Sequence, residues 1–522
     1  MRNRILGRTA TLFLVVLWAC ASSCQNRQAE AMKPNILFIP VDDLRPDLGC
    51  YGSTTLLSPN IDRLAADGVT FTRTYCQQSV CNPSRASLLT GLRPDSIQVW
   101  DLRTSFREVV PEVVTLPQYF KQQGYTTIGL GKTFHNNIPD TLSWTRKPHI
   151  EGYPFDPDAV YLNEENLLIQ EAKIERMKVQ GRNRIDQLGH WYVKANAIEI
   201  ADAGDDAYYD GAQTTLAIEI LNELVQEETP FFLSVGYYRP HLPFNAPRKY
   251  WDLYDRASLP LADNPYPPEG SPAFAVHGDQ ELRSYDDCHD LPWPWEAPWD
   301  EARQRELIHG YHASVSYIDA QVGRLLDALD RLGIRENTIV VLWGDHGWKL
   351  GEHNGWCKQT NYEIDTRVPM IFSGYGVRAK DRKSRALTEF VDIYPTLCEM
   401  AGLPVPDDLQ GSSLVPLLSQ PDMDWKKAAF SQFLLGRFGP PETRQQERMG
   451  YAIRTDRYRY VEWYSWDQET NTNGAWLASE LFDHEEDPDE NLNLAHDSSY
   501  AQTLEDLSRK LKLGWRYALP EQ

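Results

Sequence analysis

Pro34-Asn-Ile-Leu-Phe-Ile-Pro-Val41, closed at once by Asp42-Asp43, is the stretch on which the fold turns. Apolar side chains at consecutive positions suit a strand covered on both faces, as in a parallel sheet. An acidic pair at its end belongs at the carboxyl edge of the sheet, where open α/β proteins gather ligands. The pattern returns at residues 338–343, Thr-Ile-Val-Val-Leu-Trp, which run into Gly344-Asp345-His346. Helix-like and strand-like segments alternate between the two. Residues 60–68 read as a short helix ended by Gly68, 69–73 as a strand, and 116–123 as a helix stopped by Gly124. A strand over 125–130, a helix over 214–226, a strand over 231–237 and a helix over 315–332 continue the series. The alternation predicts an α/β protein: a large, mostly parallel sheet flanked by helices.

Two stretches interrupt it. Residues 156–207 are rich in charge, Asn and Gln and read as a helical surface insertion. Residues 262–300 carry Asn264-Pro-Tyr-Pro-Pro268 and Leu291-Pro-Trp-Pro-Trp295 and read as a long ordered loop. A loop of that length is uncommon unless it is functional, which makes it a candidate wall of a substrate cleft. Beyond residue 425 the rhythm changes. Residues 451–455 and 458–463 alternate like antiparallel strands, and 505–513 close with a helix. The chain therefore divides into a main domain, 33–425, and a smaller C-terminal α+β subdomain, 426–522, built on an antiparallel sheet.

The 522 residues carry 74 acidic and 52 basic side chains, a formal net charge of −22. That balance excludes a broad nucleic-acid or anionic-lipid footprint, which needs a cationic surface. It does not exclude an anionic substrate met by a few basic groups in one pocket. Residues 1–24 read as an export leader, with Arg2, Arg4 and Arg8 ahead of the apolar run Leu12-Phe-Leu-Val-Val-Leu-Trp18. Leu17-Trp-Ala-Cys20 and Ala21-Ser-Ser-Cys24 are both similar to a bacterial lipobox, which would place a lipid anchor at Cys20 or Cys24. The expected location is periplasmic or cell-surface. The remaining cysteines, at 50, 76, 81, 288, 357 and 398, show no metal-binding spacing. Export permits disulfides, but nothing here fixes a pairing. If Cys81 is reserved for chemistry an odd number remains, so at least one free thiol is expected.

Asp42, Asp43 and Asp345 would repel one another at one sheet edge unless a cation joined them. Oxygen-rich sets suit hard ions such as Ca²⁺ or Mg²⁺. The most specific signal is Val80-Cys81-Asn82-Pro83-Ser84-Arg85-Ala86-Ser87-Leu88-Leu89-Thr90-Gly91. It resembles the signature of the type I sulfatases, Cys-X-Pro-Ser-Arg followed by Leu-Thr-Gly, and the likeness runs over roughly residues 33 to 495. Within that family the segments Thr90-Gly-Leu-Arg-Pro-Asp95, Gly131-Lys-Thr-Phe-His135, Gly236-Tyr-Tyr-Arg-Pro-His-Leu-Pro-Phe244 and Trp343-Gly-Asp-His-Gly-Trp-Lys-Leu-Gly-Glu-His353 with Trp356-Cys-Lys358 look most like the iduronate-2-sulfatase branch. Departures fall in 156–207 and 262–300, the regions that would shape the cleft.

The resemblance implies an alkaline-phosphatase-like sulfatase fold and an exported, exo-acting enzyme on a sulfated oligosaccharide of a glycosaminoglycan or other sulfated polysaccharide. It implies that a maturation enzyme converts Cys81 to formylglycine, and that Asp42, Asp43, Asp345 and His346 bind one Ca²⁺ together with residue 81. Arg85 would orient the formylglycine, Lys132 and Lys358 would bind sulfate oxygens, His135 would assist the formylglycine hydroxyls, and His241 would face the leaving oxygen. A sulfate monoester is anionic and resists attack, so such a set of cations would neutralise charge as the S–O bond breaks. A hydrated aldehyde offers two hydroxyls on one carbon, one to attack sulfur and one to expel it, which a plain thiol cannot do. Fragments of algal ulvan or carrageenan are the alternative substrates, and phosphate-ester hydrolysis the alternative reaction. Trp348 and Trp356 stand beside the metal motif and would either stack on a sugar or pack, and His353 reads as structural.

Overall fold

The computed structural model describes residues 33–521 apart from 136–137, 148–160, 181–192, 228, 437–439, 444–445 and 468. The leader, with Cys20 and Cys24, lies outside the described residues, as does part of the 156–207 insertion.

Among the described residues fourteen strands form three sheets. In chain order they are β1 (Asn35–Val41), β2 (Gly68–Tyr75), β3 (Thr126–Gly131), β4 (Ile198–Ala201), β5 (Phe231–Gly236), β6 (Phe244–Pro247), β7 (Thr338–Gly344), β8 (Arg367–Gly374), β9 (Arg382–Ser384), β10 (Thr388–Glu389), β11 (Ala429–Leu435), β12 (Arg448–Arg454), β13 (Tyr458–Asp467) and β14 (Thr472–Asp483). The main sheet runs β10-β2-β8-β7-β1-β5-β3, with β9 also on β2. Its centre is parallel, with Leu37 opposite Val340 on one side and Leu233 on the other. β8 runs against its neighbours β7 and β2, so β2 shares the direction of the central strands.

Both faces are covered, as the unbroken apolar runs require. Along β1, Leu37, Ile39 and Val41 face one core, and Ile36 and Phe38 the other. The principal helices are α1 (Pro59–Ala66), α2 (Cys81–Thr90), α3 (Leu116–Gln122), α4 (Glu164–Val179), α5 (Tyr209–Leu224), α6 (Glu301–Arg331), α7 (Ile393–Met400) and α8 (Ala501–Leu513). The first core takes Leu64 of α1, Leu221 of α5 and Leu325 of α6; the second takes Leu88 of α2, Phe120 of α3 and Leu397 of α7. α6 begins fourteen residues before the apolar periodicity becomes visible. Asp300 caps it, its side chain accepting from the Arg303 N–H at 3.0 Å.

The C-terminal sheet, β11-β12-β13-β14, is antiparallel throughout. One face packs on α8 through Ile453, Tyr460, Leu481 and Leu507. The other, with Phe433, Val461, Trp463 and Phe482, packs on Val80 and Tyr362 of the main body. The insertion is not wholly peripheral, since β4 pairs in parallel with β6. Cysteines 50, 76, 81, 288, 357 and 398 are all free thiols. Among the described residues no helix is long and apolar enough to cross a membrane.

Candidate active site

The site lies at the carboxyl edge of the main sheet. Asp42 and Asp43 follow β1, Asp345 and His346 follow β7, and Lys132 follows β3. Residues 76–80 carry the chain from β2 to Cys81, and residues 237–240 carry it from β5 to His241. One strand direction thus delivers groups from five places in the sequence to one edge.

Cys81 opens α2, whose N-cap is Val80, so residue 81 sits at the positive end of a ten-residue helix. Pro83 falls in the first turn, where its missing N–H costs nothing. Arg85 is four residues on and therefore shares the helix face of Cys81. Its guanidinium is fully buried, with Nε 2.8 Å from Asp345 Oδ2 and Nη2 3.1 Å from Asp42 Oδ1. Nη1 donates to the carbonyls of Lys132 and Thr133, which locks the loop after β3 to α2. That loop starts at Gly131, whose φ of +59° and contact with the Gly236 carbonyl, 2.1 Å from where a Cβ would stand, leave room only for glycine.

Lys132 Nζ pairs with Asp42 Oδ2. Lys358 Nζ lies 2.7 Å from Asp43 Oδ1 and 3.5 Å from Cys81 Sγ, and rests over the Trp348 ring at 5.2 Å. Trp348 and Trp356 are both packing residues: Trp356 stacks on Trp299 at 5.0 Å, Trp348 meets Phe244 edge-on, and both are buried. His353 packs against Tyr362 at 4.9 Å. His135, on the loop after Lys132, is half-buried and lines a small cavity with Trp144, Lys147 and Tyr238; Cys81 does not line that cavity.

Sequence reasoning missed the supports. Asp43 takes a left-handed backbone, φ 58°, held by the Tyr311 hydroxyl, which donates to its carbonyl at 2.8 Å. Asp210 of α5 accepts from the N–H groups of Tyr238 and Arg239 at 2.9 and 3.0 Å, fixing the approach to His241. It also missed Glu281, on the 262–300 loop, whose carboxylate is 2.7 Å from His241 Nε2 and 3.2 Å from Lys358 Nζ. The loop does reach the site.

The charges set the protonation states. Burial opposes the Asp42 charge, but Lys132, His241 and Arg85 outweigh it and hold its carboxyl well below the usual range. Asp43 is raised, because burial outweighs the help from Lys358. Burial also pushes the Cys81 thiol well above its ordinary value, so the unmodified side chain is a neutral thiol and a weak nucleophile. His346 Nδ1 is 3.0 Å from the Gly347 carbonyl, which can only accept, so Nδ1 carries a proton and Nε2 is the nitrogen turned to the cluster. That nitrogen faces Cys81 Sγ at 3.2 Å, Asp43 Oδ1 at 3.4 Å and Asp345 Oδ1 at 3.5 Å. His241 is the opposite case. Nδ1 meets the Leu242 carbonyl at 2.7 Å and Nε2 meets Glu281, two acceptors, so the ring carries both protons. Burial lowers its pKa, yet Asp43 and Glu281 bring it above the ordinary value.

The donor set fits a divalent cation. Asp42, Cys81, Asp345 and His346 offer ligand atoms all within 4.8 Å of one another. Asp43 Oδ2 is buried with no hydrogen-bond partner. An orphaned carboxylate oxygen next to such a cluster is what a bound cation would satisfy, and the carboxylate majority favours a hard ion.

The sulfatase family model matches residues 34–403, which include the signature and the site residues named above. The chain belongs to the sulfatase family. Sulfatases are sulfuric ester hydrolases, and this enzyme is one of them. A second model, N-sulphoglucosamine sulphohydrolase, C-terminal, matches residues 351–514. Iduronate 2-sulfatase of Mus musculus is 33% identical over 553 residues, spanning 95% of this chain and 96% of its own. A solved structure in complex with its substrate D-glucosamine-2-N,6-O-disulfate superposes with a TM-score of 0.69 at 22% identity, covering 92% of this chain and 99% of the other. The phosphonate monoester hydrolase of Agrobacterium radiobacter does so at 0.66 and 24%, covering 93% and 96%. At those identities the likeness is one of fold, shared by sulfur and phosphorus chemistry alike.

Proposed function

We propose that this sulfatase is an exported, exo-acting enzyme that removes the 2-sulfate from a terminal hexuronate of a sulfated glycan, with Cys81 matured to formylglycine. The observation that carries the reading is the convergence of buried cations and carboxylates on residue 81, with His346 Nε2 at 3.2 Å and Lys358 Nζ at 3.5 Å. The likeness to iduronate 2-sulfatase across nearly the whole chain supports the substrate class. Export through residues 1–24, with cleavage or lipid anchoring at Cys20 or Cys24, and maturation by a formylglycine-generating enzyme belong to the same proposal.

Asp42, Asp43, Asp345 and His346 would hold Ca²⁺. The hydrated aldehyde would supply paired hydroxyls and the ion would neutralise charge at the sulfate. The chain's own groups do the rest. Arg85 fixes Asp42 and Asp345 and so sets the geometry at residue 81. Lys132 and Lys358 meet sulfate oxygens with fixed positive charge in a site closed to water, where such charge acts most strongly. His241 holds a proton on Nε2 for the departing sugar oxygen. His135 would assist proton movement at residue 81 from the adjoining loop.

The test is sulfate release from defined oligosaccharides by the matured enzyme. The expected result is release from a 2-sulfated hexuronate at the non-reducing end and none when the same residue is internal. Release only from ulvan or carrageenan fragments would replace the substrate class, and release from internal residues would remove the exo-action.

A further inference from the structure

Glu281 brings a fourth carboxylate to a site already supplied with Asp42, Asp43 and Asp345. It comes from the 262–300 loop. Its partners are His241 Nε2 at 2.7 Å and Lys358 Nζ at 3.2 Å. The turn that presents it is anchored on both sides. Asp279 accepts from the Trp356 N–H at 3.0 Å, and its carbonyl accepts from the Arg283 N–H at 3.0 Å. The Arg283 guanidinium donates to the carbonyls of Gly278 at 3.1 Å, Leu291 at 2.5 Å and Pro292, and lies over Trp293 at 4.0 Å. A carboxylate held this firmly sets the position of its partners.

His241 Nδ1 is committed to the Leu242 carbonyl, so Nε2 is the nitrogen left to serve a substrate. We propose that Glu281 is a positioning residue for proton donation: it holds the Nε2–H of His241 at the cleft, and yields that bond to the bridging oxygen of the sulfate ester as the substrate seats. This rests on the reading of His241 as the donor. When the S–O bond breaks, its electron pair leaves on the sugar oxygen and the Nε2 proton joins that oxygen. Glu281 stays ionised throughout and gives or takes no proton.

The test compares a sugar sulfate with an aryl sulfate whose phenolate leaves without a proton. For Glu281→Ala the expected fall in kcat is about 10–100-fold on the sugar sulfate, part of the 10²–10⁴ that general acid catalysis supplies. KM should not rise, because the competing carboxylate is gone, and the aryl sulfate should lose no more than about 3-fold, since it draws nothing from the donor. Glu281→Gln, whose amide oxygen still accepts from Nε2–H, should recover most of the sugar-sulfate kcat. Adding Glu281→Ala to His241→Ala should cost nothing further, as for two residues acting as one unit. Equal losses on both esters, or additive losses in the double variant, overturn the proposal. If Glu281→Ala does not fold, Glu281→Gln decides: a sugar-sulfate kcat near wild type supports the role, and a tenfold loss on both esters (about that size or larger) refutes it. A wild-type enzyme inert toward both esters overturns the sulfatase reading and this proposal with it.

Discussion

A carboxylate sealed from water with one oxygen left without a hydrogen bond costs about 1–3 kcal/mol, and Asp43 is in that state. Nearby, Asp42 already shares Arg85 and Lys132, and Asp345 shares Arg85. The remaining deficit is Asp43 Oδ2, whose sister oxygen lies 3.4 Å from His346 Nε2, which is why a divalent cation is the natural partner. Asp345→Ala should therefore lower kcat by about 10³-fold or more and leave the purified protein without stoichiometric Ca²⁺ by elemental analysis. Full activity after exhaustive chelation, or unchanged Ca²⁺ content in the variant, would show that these residues hold no catalytic metal. The positions most open to sequence reading were those fixed by local geometry. Cys81 and Arg85 lie four apart on one helix, and Asp42, Asp43, Asp345 and His346 follow buried strands. Asp210 and Glu281 were hidden because their work depends on contacts with residues 28 or more positions away, or 40 in the case of Glu281 and His241, and no periodicity records those.

At the scale of single elements, the 262–300 loop behaves as a built part of the site. Asp279, buried at its turn, has its carboxyl pushed from 3.8 up to about 7 by burial, against the pull of the Trp356 N–H, Lys349 and Arg283. A carboxyl whose folded value exceeds its unfolded value binds its proton more tightly when folded. Its contribution is complete below about pH 4 and is lost as pH rises through about 7. Asp279→Asn mimics the protonated form, so its melting temperature should fall less than that of wild type between pH 4 and 8. Parallel melting curves across that range would contradict the account. That residues 262–300 form a long ordered loop was legible from their Pro and Trp content; the anchoring was not, since Arg283 works through backbone carbonyls that any sequence provides. The start of α6 was hidden for a related reason. Residues 301–314 mix Arg, Glu and His with the apolar positions, and His309 and His312 are buried there in spite of their polarity.

At the scale of the whole molecule, the catalytic body and the C-terminal sheet stabilise each other. The alternation of helix and strand made the first legible, and residues 451–463 the second, but the interface depends on tertiary pairing alone. Arg459 of β13 is buried there, bound to Glu490 Oε1 at 2.6 Å, to Glu363 Oε2 at 2.5 Å and to the Asn361 carbonyl at 3.0 Å. Removing it takes one charged partner from Glu490, which keeps His484, and one from Glu363, which keeps Arg454, a loss of about 1.5–3 kcal/mol. Arg459→Ala should lower the unfolding free energy of the full chain in urea by that amount with the slope unchanged, and a loss under about 1 kcal/mol would show that the two parts are not coupled through this residue. The same sheet packs Phe433, Val461 and Trp463 against Val80, the residue before the one on which the chemistry rests. That residue offers the most direct test. Peptide mass spectrometry across position 81 of active enzyme should show sulfur lost and an aldehyde oxygen in its place, in proportion to specific activity. Fully active protein carrying an unmodified Cys81 thiol would contradict the account.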